Sequence, residues 1–156
     1  MELAVILIGK TQKSYIHKGV DEYEKKLGHY LKFCMEIIPD LKNTGKLSAS
    51  QQNSKEGELI LGKIKSDDYV ILLDERGRQY SSVEWASHLQ KKFNSNPKRL
   101  VFVIGGPYGF SSEVYGRANE KISLSKMTFS HQMVRMFFVE QLYRAMTILK
   151  GEPYHH

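Results

Sequence analysis

Short apolar runs separated by polar or amphipathic segments recur along the chain. The first run, ELAVILIG at residues 2–9, is apolar at nearly every position. Strands that are buried on both faces of a parallel sheet have this unbroken pattern, whereas half-exposed strands alternate between apolar and polar residues. Runs of the same kind predict four more strands, at residues 33–39, 69–74, 99–105 and 121–125.

The segments between these runs predict helices. Apolar residues recur at helical spacing from Ser14 onward. A capping box of Ser81 and Glu84 predicts the start of another helix, and Ser111 or Ser112 is suited to cap a further one. The helices are predicted at residues 14–30, 54–64, 81–93, after 111, and at 132–149.

Two polar stretches are predicted to be loops. Residues 41–54, LKNTGKLSASQQNS, offer no core-facing side and are expected to form a mobile loop. The sequence DERGRQ, residues 74–79, is expected to connect a strand to the next helix. Strands that alternate with helices predict an α/β fold with a mainly parallel sheet and helices on both faces. The length of 156 residues predicts a single domain over residues 1–156.

The composition and charge of the chain limit the classes of protein to which it can belong. The chain is 41% hydrophobic and 26% charged, as expected for a globular protein. No apolar run approaches the roughly 18 residues of a spanning helix, and no signal peptide is evident, so we expect a cytoplasmic protein without a membrane partner. Lys and Arg number 23 against 17 Asp and Glu. The positive surface favours polyanionic partners, nucleic acid above all.

Metal and thiol chemistry have little support in the sequence. The histidines show neither ligand spacing nor partner cysteines, so no metal site is predicted. Cys34 is the single cysteine and lies in an apolar stretch, which predicts a small buried hydrophobic side chain.

Three loops are expected to meet at one edge of the sheet. They are DERGR from residue 74, GGPYGF from residue 105 and LSKMTFS from residue 124. Each follows a predicted strand, and ligands of open parallel sheets bind beyond the carboxyl ends of the strands. The glycines of GGPYGF fit either a tight turn or a close approach of the backbone to a ligand. No dinucleotide fingerprint or P-loop motif is present.

The last predicted helix combines an apolar circumference with a polar stripe. Glu140 and Arg144 are four residues apart, the spacing at which side chains meet on a helix. Two interpretations remain open. The pair is a structural ion pair at the edge of the core, or it lies at a subunit interface that also holds a ligand, which would supply the partners that a buried pair needs.

Three long segments carry a resemblance to a known family. They are LLDERGRQYSSVEWA, FVIGGPYGF and the C-terminal LSKMTFSHQMVRMFFVEQLYRAMTILKGEPYHH. Together they closely resemble the small SPOUT-class methyltransferases of the RlmH type, which modify a pseudouridine of large-subunit (23S) ribosomal RNA. The match covers nearly the whole chain, and SHQMVR, EQLYRA and PYH are its most specific parts.

The resemblance implies an α/β fold with a C-terminal trefoil knot, a homodimer, and S-adenosylmethionine as methyl donor to N3 of the pseudouridine. It also implies the lining of the cofactor site, where backbone groups of three loops would hold the adenosyl group. The implied residues, with two neighbouring glycines added to the same wall, are Leu73, Gly105, Gly106, Gly109, Leu124, Ser125, Lys126, Met127, Thr128 and Phe129.

The resemblance also implies catalytic residues near the C-terminus. We expect His155 to remove the N3 proton, directly or through water, because its unperturbed pKa lies nearest neutrality. Glu140 and Arg144 are expected to orient the base and to stabilise developing negative charge, with Tyr154 stacking or hydrogen-bonding beside them. Family members typically carry Arg after Pro-Tyr-His, whereas this chain has His156. Either RNA is held differently in this branch, or the end of the chain is altered.

The expected substrate is the assembled ribosome, since a chain without a separate RNA-binding domain suits recognition by shape. The main alternative is a non-catalytic RNA-binding or ribosome-associated protein on the same fold, which would not need the methyl donor. A third possibility is an unrelated α/β enzyme that uses a nucleotide. Binding of S-adenosylmethionine, compared with NAD or ATP, discriminates among the three.

Overall fold

A computed structural model describes residues 1–156 and shows a five-stranded, all-parallel sheet in the order β2-β1-β4-β3-β5. The strands are β1 Glu2–Ile8, β2 Lys32–Ile38, β3 Tyr69–Arg78, β4 Arg99–Ile104 and β5 Glu120–Ile122. The helices are α1 Ser14–Leu27, α2 Ala49–Lys63, α3 Ser82–Asn94, α4 Ser112–Arg117 and α5 Met133–Lys150, with a 3₁₀ turn at Thr44–Lys46. The predicted α/β fold with a parallel sheet is confirmed. The trefoil knot stays a prediction.

Helices cover both faces of the sheet, as predicted. Successive side chains of a strand point to opposite faces, and β1 shows the consequence. Leu3, Val5 and Leu7 belong to an apolar cluster with α1, α3 and α5. Ala4 and Ile6 belong to a second cluster with α2 and α4. Because both faces of the central strands are covered, their sequences are apolar without alternation.

The predicted loop at 41–54 is wrong for its last six residues, because α2 begins at Ala49. Ser48 is the N-cap: its Oγ accepts from the Gln51 backbone N–H at 3.1 Å, and Gln51 Oε1 accepts from the Ser48 N–H at 2.9 Å. This capping box provides acceptors for two backbone N–H groups, those of Ser48 and Gln51, which have no partner within the helix. The first two turns of α2 therefore form without a hydrophobic face.

The predicted loop DERGRQ is also wrong, because β3 continues to Arg78. After an irregularity in register, Arg78 pairs with Ile122 of β5, and its carbonyl accepts from the Ser123 N–H at 2.9 Å. The charged side chains of this part of the strand are mostly exposed. Their polarity reflects that exposure, and the pairing with β5 keeps the backbone extended.

Smaller differences concern the ends of elements. The helix α1 ends at Leu27 rather than at residue 30, because Gly28 and the residues after it form a turn that closes on the last carbonyls. The strand β5 ends at Ile122 rather than at residue 125. There Ser123 Oγ donates to the Ser125 carbonyl at 2.9 Å and starts a turn.

Cys34 lies on the edge strand β2, where its side chain is half-buried rather than fully buried as expected. An edge strand has a neighbour on one side only, so the thiol is only partly covered. Burial, with help from the nearby Glu2 carboxylate, raises the pKa of Cys34 to about 11. The group therefore stays a thiol at neutral pH, in agreement with a packing role.

Arg135 fixes the start of α5 to the end of β1. Its side chain is buried, and its guanidinium donates to the carbonyls of Ile8 at 2.5 Å and Gly9 at 2.8 Å and to Thr11 Oγ1 at 3.2 Å. Desolvation lowers the pKa of Arg135, opposed by the Asp40 charge.

None of the helices combines the length and apolar character needed to cross a membrane.

Candidate active site

A cavity of about 610 Å³ opens at the carboxyl ends of β4, β3 and β5. Three segments supply most of its lining, at residues 73–76, 104–110 and 122–131, together with Tyr115 and Val134. These segments overlap the three loops that the sequence predicts to meet, although residues 73–76 belong to β3 rather than to a loop. They lie together because the three strands are parallel and β3 lies between β4 and β5, so that the carboxyl ends are at the same edge of the sheet.

Most residues of the predicted cofactor set lie in this cavity. Nine of the ten line it, namely Leu73, Gly105, Gly106, Gly109, Leu124, Ser125, Met127, Thr128 and Phe129. Lys126 is exposed and does not contribute to the lining. The cofactor role of the set stays a prediction.

The glycine loop is both a tight turn and a region of close packing. Gly106 and Gly109 form an isolated bridge, and Gly109 has a φ of 79°. A Cβ at Gly105 would lie 2.9 Å from the Phe110 ring and 3.2 Å from the Gly109 carbonyl oxygen. A Cβ at Gly106 would lie 2.8 Å from Oε1 of the buried Glu56. Contacts within the chain therefore already exclude side chains from this wall of the cavity.

The opposite wall is a short turn held by two serines. The Ser123 hydroxyl donates to the Ser125 carbonyl at 2.9 Å, and Ser125 Oγ accepts from the Met127 N–H at 3.0 Å. Beyond the turn Met127 is 76% exposed, and Phe129 contacts Phe137 of α5 with ring centroids 5.1 Å apart. The wall thus presents backbone groups and apolar side chains.

Asp74, Arg76 and Tyr115 line the same cavity and are not among the site residues predicted from the sequence. The Tyr115 hydroxyl donates to Asp74, and Asp74 Oδ1 accepts from the Arg76 N–H at 2.8 Å. Burial and the bond to Asp74 raise the pKa of Tyr115. An acidic residue at the carboxyl end of a strand was the available signal, but its partner comes from a different segment.

The four residues expected to be catalytic form one hydrogen-bonded group. Arg144 Nη2 donates to Glu140 Oε1 at 2.6 Å, and the Tyr154 hydroxyl donates to the same oxygen at 2.9 Å. Arg144 Nη1 lies 3.2 Å from Nδ1 of His155. The structure therefore brings together the pair on α5 and the two residues of the tail.

This arrangement determines the tautomer of the imidazole. A guanidinium is a donor only, so Nδ1 of His155 must accept from Arg144 and the ring proton must lie on Nε2. The basic lone pair of His155 thus faces Arg144, while the Nε2–H is free to donate. Burial is the main cause that raises the pKa of Tyr154, with the bonds to Tyr23 and Glu140 adding to it, so its phenol stays protonated.

The tail that carries Tyr154 and His155 folds back on α5. Gly151 ends the helix in the left-handed conformation, φ 67°. Glu152 N–H then donates to the Thr147 carbonyl at 2.9 Å. Left-handed glycine is a common helix stop because it lacks a Cβ. As a result both tail residues are half-buried, while His156 is exposed.

A second, smaller cavity of about 250 Å³ lies next to the large cavity and extends to Glu140. It shares Leu124 and Phe129 with the large cavity, and Glu140 and Gln141 line its other side. The carboxylate that holds Arg144 and Tyr154 therefore borders a cavity that shares part of its wall with the large cavity. No cluster of three or more His, Cys, Asp or Glu residues is arranged to hold a metal ion.

Comparison with known proteins gives matches over the full chain. A family profile described as "Predicted SPOUT methyltransferase" matches residues 1–155. Three relatives are each named "Ribosomal RNA large subunit methyltransferase H" and align over 156 residues, 100% of this chain and 99% of each relative. They come from Parabacteroides distasonis at 57% identity, Christiangramia forsetii at 60% and Flavobacterium johnsoniae at 59%.

Proposed function

The chain belongs to the SPOUT methyltransferase family, and on that premise we propose that it transfers a methyl group from S-adenosylmethionine to N3 of a pseudouridine in large-subunit ribosomal RNA. The observation that carries the proposal is the end-to-end similarity to relatives named as methyltransferases of that RNA. We further propose that residues 1–156 act as one domain and that the assembled ribosome in the cytoplasm is the substrate.

The large cavity suits S-adenosylmethionine. Its volume of about 610 Å³ lies within the roughly 300–1,000 Å³ typical of small-molecule sites. The backbone of the glycine loop and of the turn after β5 would hold the adenosyl group, with Leu73 between them and Asp74 at the rim. When bound, S-adenosylmethionine supplies the activated methyl group. The protein then has to orient the acceptor and manage one proton.

The proton belongs to N3 of the pseudouridine, and His155 is the proposed acceptor, directly or through a water molecule. Its Nδ1 lone pair is held by Arg144 at 3.2 Å. For that nitrogen to act as a base, the substrate or a water molecule has to take the place of Arg144 on it. The guanidinium released in this exchange stays on Glu140 through its other nitrogens.

Arg144 then has a second role in the proposal. Loss of the N3 proton places negative charge on the base, and a guanidinium close by stabilises such charge strongly where water is excluded. Glu140 keeps Arg144 in position through Nε at 3.2 Å and Nη2 at 2.6 Å. Tyr154, whose ring lies 4.8 Å from the Arg144 guanidinium carbon, limits the movement of that group.

We propose that the enzyme is a homodimer. Apolar side chains remain exposed around the smaller cavity: Phe137 is 40% and Phe129 is 39% exposed in its lining, and Val83, next in the chain to the lining residue Ser82, is 55% exposed. A second subunit would bury them, and it would also double the positive surface, from a net charge of +6 in one chain. More positive surface favours RNA, since phosphate contacts dominate affinity.

The first experiment measures transfer of labelled methyl from S-adenosylmethionine to ribosomes that lack the modification, with free ribosomal RNA in parallel. Mass spectrometry identifies the modified base. Label on N3 of one pseudouridine, in ribosomes only, is the expected result. Cofactor binding without transfer to any RNA would reject the proposed acceptor. Absence of cofactor binding would favour the alternative, a non-catalytic RNA-binding protein on this fold.

Replacement of Gly105 by alanine is expected to weaken binding of S-adenosylmethionine about tenfold. The added Cβ would lie 2.9 Å from the Phe110 ring and 3.2 Å from the Gly109 carbonyl oxygen, so the loop has to move away from its position. A shift of about 1.4 kcal/mol in the binding free energy corresponds to this factor. Calorimetric titration gives the dissociation constant.

Gly116→Ala in α4 is the matched control, because a Cβ at that position meets no atom within 4 Å. It should bind the cofactor as the unmodified protein does. Equal affinities for Gly105→Ala and Gly116→Ala would show that the glycine loop is not part of the cofactor site.

A further inference from the structure

We propose that Tyr23 of α1 and Tyr30 of the turn after α1 are positioning residues for the C-terminal tail, and that they hold Tyr154 and His155 in the geometry that the reaction needs. The effect on turnover rests on the proposed function. The effect on the order of the tail does not, and it can be measured separately. We call Tyr23, Tyr30, Tyr143 and Glu152 the tail clamp.

The tail has few main-chain bonds of its own. After the helix ends, the Glu152 N–H donates to the Thr147 carbonyl, and the Tyr154 N–H donates to the Glu152 carbonyl at 3.0 Å. His155 and His156 make no backbone hydrogen bond. Terminal residues without such bonds are ordinarily disordered. The position of His155 therefore depends on side-chain contacts.

Tyr23 supplies one of these contacts. Its hydroxyl lies 3.3 Å from the Tyr154 hydroxyl, whose own proton is donated to Glu140 at 2.9 Å. Because each hydroxyl has a single proton, Tyr23 must be the donor to Tyr154. The bonds run in one direction, from Tyr23 through Tyr154 to the carboxylate that holds Arg144. A chain of this kind polarises and strengthens its members.

Tyr30 supplies the second contact, at the base of the tail. Its hydroxyl donates to Glu152 Oε2 at 2.5 Å. This hydrogen bond is the main cause that raises the pKa of Tyr30 to about 12. The phenol thus keeps its proton throughout the pH range of an assay. The bond connects the end of the α1 region to the first residue after Gly151.

Tyr143 of α5 packs among the other aromatic rings. Its ring centroid lies 5.8 Å from that of Tyr23, 6.1 Å from that of Tyr30 and 4.8 Å from that of Tyr154. The last two contacts are edge-to-face, a favoured geometry for aromatic pairs. The tail is therefore held between α5, which provides the packing surface, and the α1 region, where Tyr23 of α1 and Tyr30 of the following turn provide the donors.

The test compares Tyr23→Phe, Tyr30→Phe and the double variant with the unmodified protein. Phenylalanine keeps the ring and removes only the donor. A net hydrogen bond of ordinary strength predicts about a fivefold loss of kcat for Tyr23→Phe, with a larger loss for the double variant and an unchanged dissociation constant for S-adenosylmethionine. Tyr15→Phe is the matched control, because Tyr15 is on the same helix and 62% exposed.

The order of the tail is measured without reference to activity. Carboxypeptidase should release the two terminal histidines faster from Tyr23→Phe and Tyr30→Phe than from the unmodified protein or Tyr15→Phe. Glu152→Gln should resemble the unmodified protein, because an amide oxygen still accepts from Tyr30, whereas Glu152→Ala should resemble Tyr30→Phe. This rescue by the conservative variant would not occur if residue 152 contributed only charge.

Unchanged release in all variants would overturn the proposal, whatever their activity. Faster release with unchanged kcat would also overturn it, because the clamp would then order the tail without serving the reaction. If the unmodified protein methylates no RNA, the proposed function fails, and the role in turnover fails with it. The release assay then still decides whether Tyr23 and Tyr30 hold the tail.

Discussion

Replacing His155 by alanine is expected to lower kcat about 10²-fold and to leave the affinity for S-adenosylmethionine unchanged. The imidazole lies on Arg144 and outside the lining of the large cavity, so its loss should not disturb cofactor binding. The size of the expected loss follows from the contribution of a general base to the rate, about 10²- to 10⁴-fold. The lower end of this range applies because water can replace the missing side chain in part.

The measurement is single-turnover methyl transfer on ribosomes, with the cofactor dissociation constant determined separately. His156→Ala is the matched control: it removes the neighbouring imidazole, which is exposed and makes no hydrogen bond. A similar loss in both variants would indicate disturbance of the tail as a whole. Turnover of His155→Ala at the level of the unmodified protein would remove His155 from the mechanism.

The strands were predictable because their burial leaves a direct trace in the sequence. The central strands β1 and β4 are covered on both faces, and every position after the first charged residue of each strand is apolar. The last part of β3 has no such trace, since most of its charged side chains are exposed while Arg78 pairs with Ile122 of β5. Where pairing rather than burial holds a strand, hydropathy gives no signal.

The helix α2 is predicted from residue 54 but begins at Ala49, and the reason for this difference is not the same. Its first turns have no apolar face, and the signal lies in the capping box of Ser48 and Gln51. The same motif at Ser81 and Glu84 predicts the start of α3, where buried apolar residues at helical spacing follow it. A capping motif can be identified in a sequence, but it predicts a helix start well only where apolar residues at helical spacing follow it.

The candidate site also has one part that sequence rules predict and another part that they do not. Convergence of three loops follows from a general rule for parallel sheets, and the pairing of Glu140 with Arg144 follows from helical geometry. The positions of Tyr154 and His155 depend on a tail that reverses direction at Gly151, and periodicity cannot describe such a reversal. Contacts between distant segments, such as Tyr115 with Asp74 or Tyr23 with Tyr154, could be found only in three dimensions.

Replacing Gly77 by alanine is expected to destabilise the protein by about 3 kcal/mol, in the upper part of the range for overpacking. A Cβ on Gly77 would lie 2.5 Å from the carbonyl carbon and 2.6 Å from the nitrogen of Ile122. Backbone cannot rotate away as a side chain can. Either β5 shifts or the end of β3 detaches from it, and both changes break the pairing at Arg78.

Thermal unfolding measures the effect. At about 2–4 °C per kcal/mol for a chain of this size, the midpoint should fall by roughly 6–12 °C. Gly62→Ala is the matched control, since Gly62 is exposed in α2 and its Cβ would meet no atom within 4 Å. Alanine is favoured over glycine within helices by about 0.5–1 kcal/mol, so this variant should melt slightly higher than the unmodified protein.

The same substitution tests whether the sheet supports the cofactor wall. Ser123 and the turn after it follow directly from Ile122, so a displaced β5 should carry the turn with it. We expect Gly77→Ala to bind S-adenosylmethionine at least tenfold more weakly at a temperature where it is still folded. A normal midpoint would refute the close approach of Gly77 to β5. A lowered midpoint with normal affinity would show that the turn keeps its shape without the strand that precedes it.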